Sequence, residues 1–326
     1  MTREPSAERE EPTLSARILV TGGSGFIGGH VLAALRESKD GTPSRVRLLL
    51  RDPARLPAGA APEADVVRGD LADPESLRGV CEGVDVVLHC ASHIGDDERR
   101  NETVNDHGTR ALVEEAARAG AGRVVYVSTA AVYGRGPFSG ALPGELPLAP
   151  ASPTSRSRAA AERHVLDAGG VVLRPHLVLG AGDRWVVPGL AALLGVLSAG
   201  LKECTARHSV VDVRALGRAV VAAGLSDRDL AGVHNVNHPQ PVDCSELLDS
   251  VAGRLGLRLP GAAVDIDEAR DRLAGQPRAL HHLGMLAVDH RFADDGFWAG
   301  VGVDPGAGFA QSLAEHAAWY REFLAG

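Results

Sequence analysis

Residues 17–30 of this chain read Arg-Ile-Leu-Val-Thr-Gly-Gly-Ser-Gly-Phe-Ile-Gly-Gly-His, and few folds accept such a run. Ile18, Leu19 and Val20 form a short apolar segment with the character of a buried strand. Gly22, Gly25 and Gly28 follow at three-residue spacing and lead into helical composition at 31–36. A strand, a tight turn and a helix in this order present the free N–H groups of a helix start to an anion, and the helix dipole favours negative charge there. The pattern predicts a site for the pyrophosphate of a dinucleotide, with Gly22, Gly25, Phe26, Ile27 and Gly28 against it.

Further strands are predicted at 45–50, 64–68, 84–89, 123–128 and 171–174, with helices at 74–81 and 156–167 and a third, which 105–109 begins or lies within, running to about 119 between them. This alternation predicts an α/β fold, a Rossmann-type doubly wound parallel sheet with right-handed crossovers. After residue 178 the pattern changes. An apolar helix at 185–201 is followed by strand pieces at 210–212 and 233–237 around a helix at 215–225. Helices at 245–255 and 312–324 follow, with a largely helical stretch at 265–290 between them that Gly275-Gln276-Pro277 interrupts. The expected division is a tail at 1–13, an NADP-binding domain of 14–178 plus 209–239, and a smaller, mostly helical substrate lobe of 179–208 plus 240–326. Within that lobe 265–290 is a candidate lid. Residues 134–153, rich in glycine and proline, are expected as a long surface loop that walls a pocket.

In such a sheet the second strand ends beside the adenine ribose. An acidic residue there accepts from a 2′-hydroxyl, whereas an arginine suits a 2′-phosphate. Arg51, with Arg55 nearby, therefore predicts NADP. His89 and His93 are four apart on a strand-to-loop segment, where that spacing does not converge on an ion, so no metal site is expected. Cys81, Cys90, Cys204 and Cys244 show neither metal-ligand nor disulfide-framework spacing, which fits a reduced cytoplasm. A net charge of −8 gives no general attraction for nucleic acid or anionic membrane, and no apolar run reaches spanning length. A small-molecule substrate is the expected partner. Helices 105–119 and 154–168 are candidates for pairing two copies, a question their pattern leaves open.

Together these segments resemble the short-chain dehydrogenase/reductase superfamily in its extended form. Thr21-Gly22-Gly23-Ser24-Gly25-Phe26-Ile27-Gly28, Gly69-Asp70-Leu71, Asn105-Asp106-His107-Gly108-Thr109, Ser128-Thr129-Ala130-Ala131-Val132-Tyr133-Gly134 and Leu173-Arg174-Pro175 stand in the family's order. Val303-Asp304-Pro305 and Trp319-Tyr320-Arg321 extend the likeness to the end of the chain. The resemblance implies that Asp70 and Leu71 edge the adenine and that Cys90, Ala91 and Ser92 line the cofactor. It also implies that Thr129 hydrogen-bonds a substrate carbonyl, and that Pro175 and His176 flank the nicotinamide.

At the reactive centre the chain departs from that family. Thr154 and Arg158 hold the places of the family's Tyr-x-x-x-Lys, and none of Tyr126, Tyr133 and Tyr320 has a lysine four residues on. A tyrosine, with a reference pKa of about 10 that a neighbouring lysine lowers, can donate a proton to a developing alkoxide. A threonine hydroxyl forms hydrogen bonds but hardly releases its proton, and an arginine stays protonated. The lost acid is worth on the order of 10²–10⁴ in rate.

Three readings follow. Another residue serves as the acid, with His93, His176 and Tyr133 as candidates. Alternatively, the substrate carries its own charge, as a ketone beside a phenol does, and Ser92, Thr129, Thr154, Arg158 and His176 only position it. The third is a sensor or assembly subunit that binds the cofactor without chemistry. The second resembles the atypical ketoreductases of angucyclinone (simocyclinone-type) antibiotic pathways and implies NADPH-dependent reduction of an aromatic polyketide ketone. A sugar-nucleotide epimerase or dehydratase is a further alternative, against which Thr154 and Arg51 both stand.

Overall fold

The computed structural model describes residues 16–37, 45–56 and 63–326. The tail expected at 1–13 lies outside them, as does the side chain of Arg55. The described strands are β1 (Arg17–Thr21), β2 (Arg45–Leu50), β3 (Asp65–Arg68), β4 (Val86–His89), β5 (Arg123–Val127), β6 (Phe138–Ala141), β7 (Val171–Arg174), β8 (Leu177–Leu179), β9 (Arg207–His208), β10 (Val210–Asp212), β11 (Gly232–Asn235), β12 (Val242–Asp243) and β13 (His290–Phe292). Seven of them form one parallel sheet in the order β11-β7-β5-β4-β1-β2-β3.

The sequence explains why this sheet is buried on both faces. Ile18 and Val20 of β1 enter the apolar layer beneath the helices Phe26–Glu37 and Val213–Leu225. Leu19 between them points into the opposite layer, with Leu112, Val113 and Val165 from the helices Gly108–Ala119 and Pro153–Asp167. Strands covered twice read as unbroken apolar runs, which is how they appear in the sequence. The strand order reverses between β1 and β4, and at such a switch point the carboxyl ends of the strands open a crevice.

A third apolar cluster lies in the smaller, mostly helical lobe, where Val186–Leu197, Cys244–Leu255, Pro277–Leu286 and Phe309–Ala325 bury their leucines together. A four-stranded sheet of order β12-β9-β13-β6 borders it. No helix of the described residues is long and apolar enough to cross a membrane.

Four expectations need correction. Residues 134–153 are not wholly loop, because β6 forms within them; it pairs with β13, a partner far away in the chain. The helix expected at 74–81 is only the 3₁₀ turn Pro74–Leu77, followed by Gly79 in a left-handed conformation. The helix that 105–109 lies within starts at Glu98 but is not one regular α-helix, since it passes through a π-helical stretch, Glu102–His107. Finally, Cys204 and Cys244 form a disulfide, with Cα atoms 5.4 Å apart, because the antiparallel pair β9–β12 brings their segments together. That bridge does not fit the cysteine-spacing argument for a reduced compartment.

A cofactor cradle and the place of the missing tyrosine

The glycine turn after β1 has no room for side chains. Gly22 has φ +73°, and a Cβ there would lie 2.7 Å from the Ala91 backbone nitrogen. A Cβ on Gly28 would lie 2.1 Å from the Gly22 carbonyl oxygen. Gly25 closes the turn, its N–H donating to Gly22 O at 2.8 Å. Phe26 and Ile27 open the helix, whose first turn carries no acidic side chain. The turn thus leaves a helix start facing the crevice with space for an anion, the fit that a dinucleotide pyrophosphate requires.

Around the crevice the strand ends are tied to one another. His89, the last residue of β4, is fully buried and joins Thr21 Oγ1 (2.7 Å) and Thr109 Oγ1 (2.9 Å) through its two ring nitrogens. Burial, helped by the Arg158 charge, lowers its pKa to about 3, so the ring stays neutral as a bracket between β1 and β4. The Cys90 thiol is pushed up to about 12, chiefly by burial, and is no nucleophile at neutral pH. Ser92 Oγ donates to Asn105 Oδ1 at 3.2 Å, and the same carboxamide accepts from His93 N and donates to His93 O. Asn105 sits in the π-helical stretch and holds the backbone after β4 in place. The sequence shows its motif but not this role, which depends on the π-helical stretch turning Asn105 toward the strand end.

After β3, Asp70 is half-buried and accepts from Ala72 N (2.9 Å), while Leu71 is buried. Arg51 stands exposed at the end of β2, and Asp52 beside it caps the following 3₁₀ turn.

Thr154 occupies the first turn of the helix Pro153–Asp167, started by a Ser152–Ser155 capping box. Its hydroxyl is engaged: Oγ1 lies 3.1 Å from Gly95 O and 3.2 Å from Asn101 Oδ1, and it accepts from Gly95 N. These contacts fasten the loop after β4 to the helix. One turn later, Arg158 donates to Val127 O and lies over the Tyr126 ring at 6.0 Å, while its buried Nε has no partner among the described residues. The guanidinium is therefore a fixed positive charge under the strand ends. Thr129 differs from Thr154. Its Oγ1 accepts from Ala131 N (3.2 Å), which leaves the hydroxyl proton free to donate, and its side chain is half-exposed at the end of β5.

Two of the three candidate acids meet obstacles. Tyr133 is 2% exposed and donates to Asn235 Oδ1 (3.0 Å), with the Arg174 guanidinium over its ring at 4.7 Å; burial raises its pKa. It braces the fold, its hydroxyl engaged with Asn235 and its ring packed on Phe292. His176 follows buried Pro175, whose carbonyl accepts from Ala130 N (2.8 Å), and its ring sits beside those of His208 and His290. Burial and these neighbours hold it well below the usual imidazole pKa, so it is a poor proton donor at neutral pH. The third, His93, keeps a half-exposed ring with no hydrogen-bond partner among the described residues.

Beneath Thr129, Ser128 Oγ donates to Glu162, which also receives Nε and Nη2 of Arg174. The ion pair is almost wholly buried, with side-chain exposures of 5% and 1%. It clamps the end of β5 to β7 and to the helix that carries Thr154 and Arg158.

Comparison with known proteins identifies the family and the fold. The family described as "NAD dependent epimerase/dehydratase family" matches residues 18–237. A 3β-hydroxysteroid dehydrogenase/Δ5→4-isomerase of Mycobacterium tuberculosis is 28% identical over 311 residues, covering 86% of this chain and 82% of that protein. A 2-alkyl-3-oxoalkanoate reductase of Stenotrophomonas maltophilia is 33% identical over 186 residues, 54% of each chain. A UDP-glucose 4-epimerase of Azospirillum brasilense is 35% identical over 189 residues, 53% of this chain and 52% of that one. Among solved structures, WbmH of Bordetella bronchiseptica in complex with NAD+ superposes with a TM-score of 0.75 at 22% identity, covering 95% of this chain and all of that one.

Proposed function

Because this chain belongs to the NAD-dependent epimerase/dehydratase family, we propose that it is an NADPH-dependent ketoreductase whose substrate, rather than any protein acid, takes up the charge formed on oxygen. The observation that carries this reading is the state of position 154. A threonine stands there with its hydroxyl committed to the Gly95 backbone and Asn101, so it neither donates nor relays a proton. When bound, the dinucleotide supplies hydride to a carbonyl carbon.

The chain's own residues then have limited tasks. Gly22, Gly25 and Gly28 admit the pyrophosphate; Cys90, Ala91 and Ser92 keep the adjoining wall shallow. Thr129 offers its free hydroxyl proton as a hydrogen bond to the ketone oxygen, and Arg158 adds a fixed positive charge nearby. Such groups orient the reactants and stabilise developing charge without transferring a proton. A carbonyl with a phenol hydroxyl beside it needs no more, because the phenol's proton passes to the oxygen that the hydride addition leaves negative, and the charge comes to rest on the ring as phenolate. Aromatic polyketide ketones of the angucyclinone kind have this arrangement. The test is NADPH consumption with hydroxylated aryl ketones and quinones. Turnover only where a phenolic hydroxyl neighbours the carbonyl supports the proposal; no consumption with any of them, despite cofactor binding, favours a sensor.

Sugar-nucleotide epimerisation or dehydration is the second reading, favoured by relatives such as the UDP-glucose 4-epimerase. It requires a reversible proton acceptor, and Thr154 is unsuited to that task. Conversion of UDP-glucose or dTDP-glucose with no net change in cofactor absorbance would establish it.

Cofactor choice rests on Arg51, exposed where a 2′-phosphate would lie. NADPH is expected to raise the melting temperature more than NADH does, and Arg51→Glu should weaken NADPH binding by about tenfold or more while leaving NADH binding little changed. Equal stabilisation by both cofactors in the unmodified protein would contradict this assignment.

A further inference from the structure

His176, His208 and His290 are far apart in the sequence, yet their ligating nitrogens all lie within 4.8 Å of one another. The fold produces this meeting directly. His208 of β9 and His290 of β13 are register partners on neighbouring parallel strands, so their side chains share one face of the small sheet. His176 arrives from the turn between β7 and β8, held by its N–H donating to Asn237 Oδ1 at 2.8 Å. Ring centroids are separated by 5.2 Å (His176–His290), 5.9 Å (His208–His290) and 6.5 Å (His176–His208).

Three imidazoles on one tetrahedral ion, with metal–nitrogen bonds of about 2.0–2.1 Å, have centroids roughly 5–5.5 Å apart. The observed triangle is slightly wider and its rings lie within 15° of parallel, so binding would draw each nitrogen inward by on the order of 1 Å and turn the rings until their lone pairs meet at one point.

The hydrogen bonds favour the same outcome. His208 Nε2 lies 3.1 Å from Leu286 O and His290 Nδ1 lies 3.0 Å from Val288 O, so each ring donates one N–H to a backbone carbonyl. The other nitrogen of each then carries a lone pair. His290 Nε2 is buried, in a residue only 1% exposed, and finds no hydrogen-bond donor among the described residues. One ring nitrogen anchored to a carbonyl and the other left as a base is the usual state of a metal-binding histidine. An all-imidazole set selects zinc, cobalt, nickel or copper over magnesium or calcium.

We infer that His176, His208 and His290 form a binding site for one divalent transition-metal ion, which ties the end of β7 to the small sheet of the lobe. This inference does not depend on the hydride-transfer reading.

The test uses the full, untagged chain after chelator dialysis, titrated with Co²⁺ and then challenged with Zn²⁺. One Co²⁺ per chain is expected, with visible d–d absorption that Zn²⁺ removes, and the melting temperature should rise with added Zn²⁺. His176→Gln should weaken Co²⁺ binding at least about tenfold while the metal-free circular dichroism stays unchanged; as a half-buried residue beside two buried ones it is the safest of the three to replace. His290→Gln provides a second arm. Absence of saturable Co²⁺ binding below about 1 mM, or binding that His176→Gln leaves intact, would overturn the inference and leave a packing cluster of neutral rings.

Discussion

Alanine at Gly28 is expected to abolish useful dinucleotide binding, raising the dissociation constant for NADPH by about 100-fold or more, equivalent to roughly 2.7 kcal/mol. The added methyl has nowhere to go. It would lie 2.1 Å from the carbonyl oxygen and 2.6 Å from the carbonyl carbon of Gly22, both of them backbone, so the turn itself must open. Opening it withdraws the helix start from the anion it would hold. Calorimetric titration of NADPH into the variant checks this, with circular dichroism to confirm that the sheet has formed. An affinity within a few-fold of the unmodified chain would mean that the pyrophosphate lies elsewhere.

The second large effect is on stability. Arg174→Met strands the Glu162 carboxylate in the interior, where it loses both guanidinium contacts and keeps only Ser128 Oγ. Removing one partner of a buried ion pair costs about 3–5 kcal/mol, largely because the survivor is left charged and unpaired. Replacing both residues, Arg174→Met with Glu162→Leu, removes that stranded charge and should recover at least half of the loss. Denaturant unfolding of the two variants measures the difference. A single replacement that costs under about 1 kcal/mol would show that the pair is not the clamp between β5, β7 and the Pro153–Asp167 helix that its geometry indicates.

Features whose cause is local were legible in the sequence. β1, β4, β5 and β7 are continuous apolar runs because both faces of the sheet are covered, and Gly25 and Gly28 are required by contacts with the nearby Gly22 backbone, although Gly22 itself is required by the distant Ala91. Thr154 and Arg158 were placed correctly on a helix because spacing along the chain fixes them. Features made by distant partners were not legible. β6 has little strand character of its own and exists through its pairing with β13. The Cys204–Cys244 bridge and the three-histidine cluster depend on β9, a two-residue strand that sequence patterning does not reveal.

Buried polar residues form another class that the chain conceals. Glu162 reads as an ordinary helix surface residue, yet it is 1% exposed because Arg174 arrives from β7. Asn105 gave a signal through its motif, but its role in holding Ser92 and His93 needed coordinates. Tyr133 was a candidate acid on chemistry alone, and its contacts with Asn235 and Arg174 turn it into a brace.

The source of the proton is measured most directly as kcat for NADPH-dependent reduction of a hydroxyaryl ketone by Thr154→Val and by His93→Gln, each beside the unmodified chain. Both variants are expected to keep turnover within about fivefold, since neither side chain transfers a proton in the rate-limiting step. A fall of about 100-fold or more in either variant, with cofactor affinity intact, would restore a protein acid to the mechanism and contradict the account.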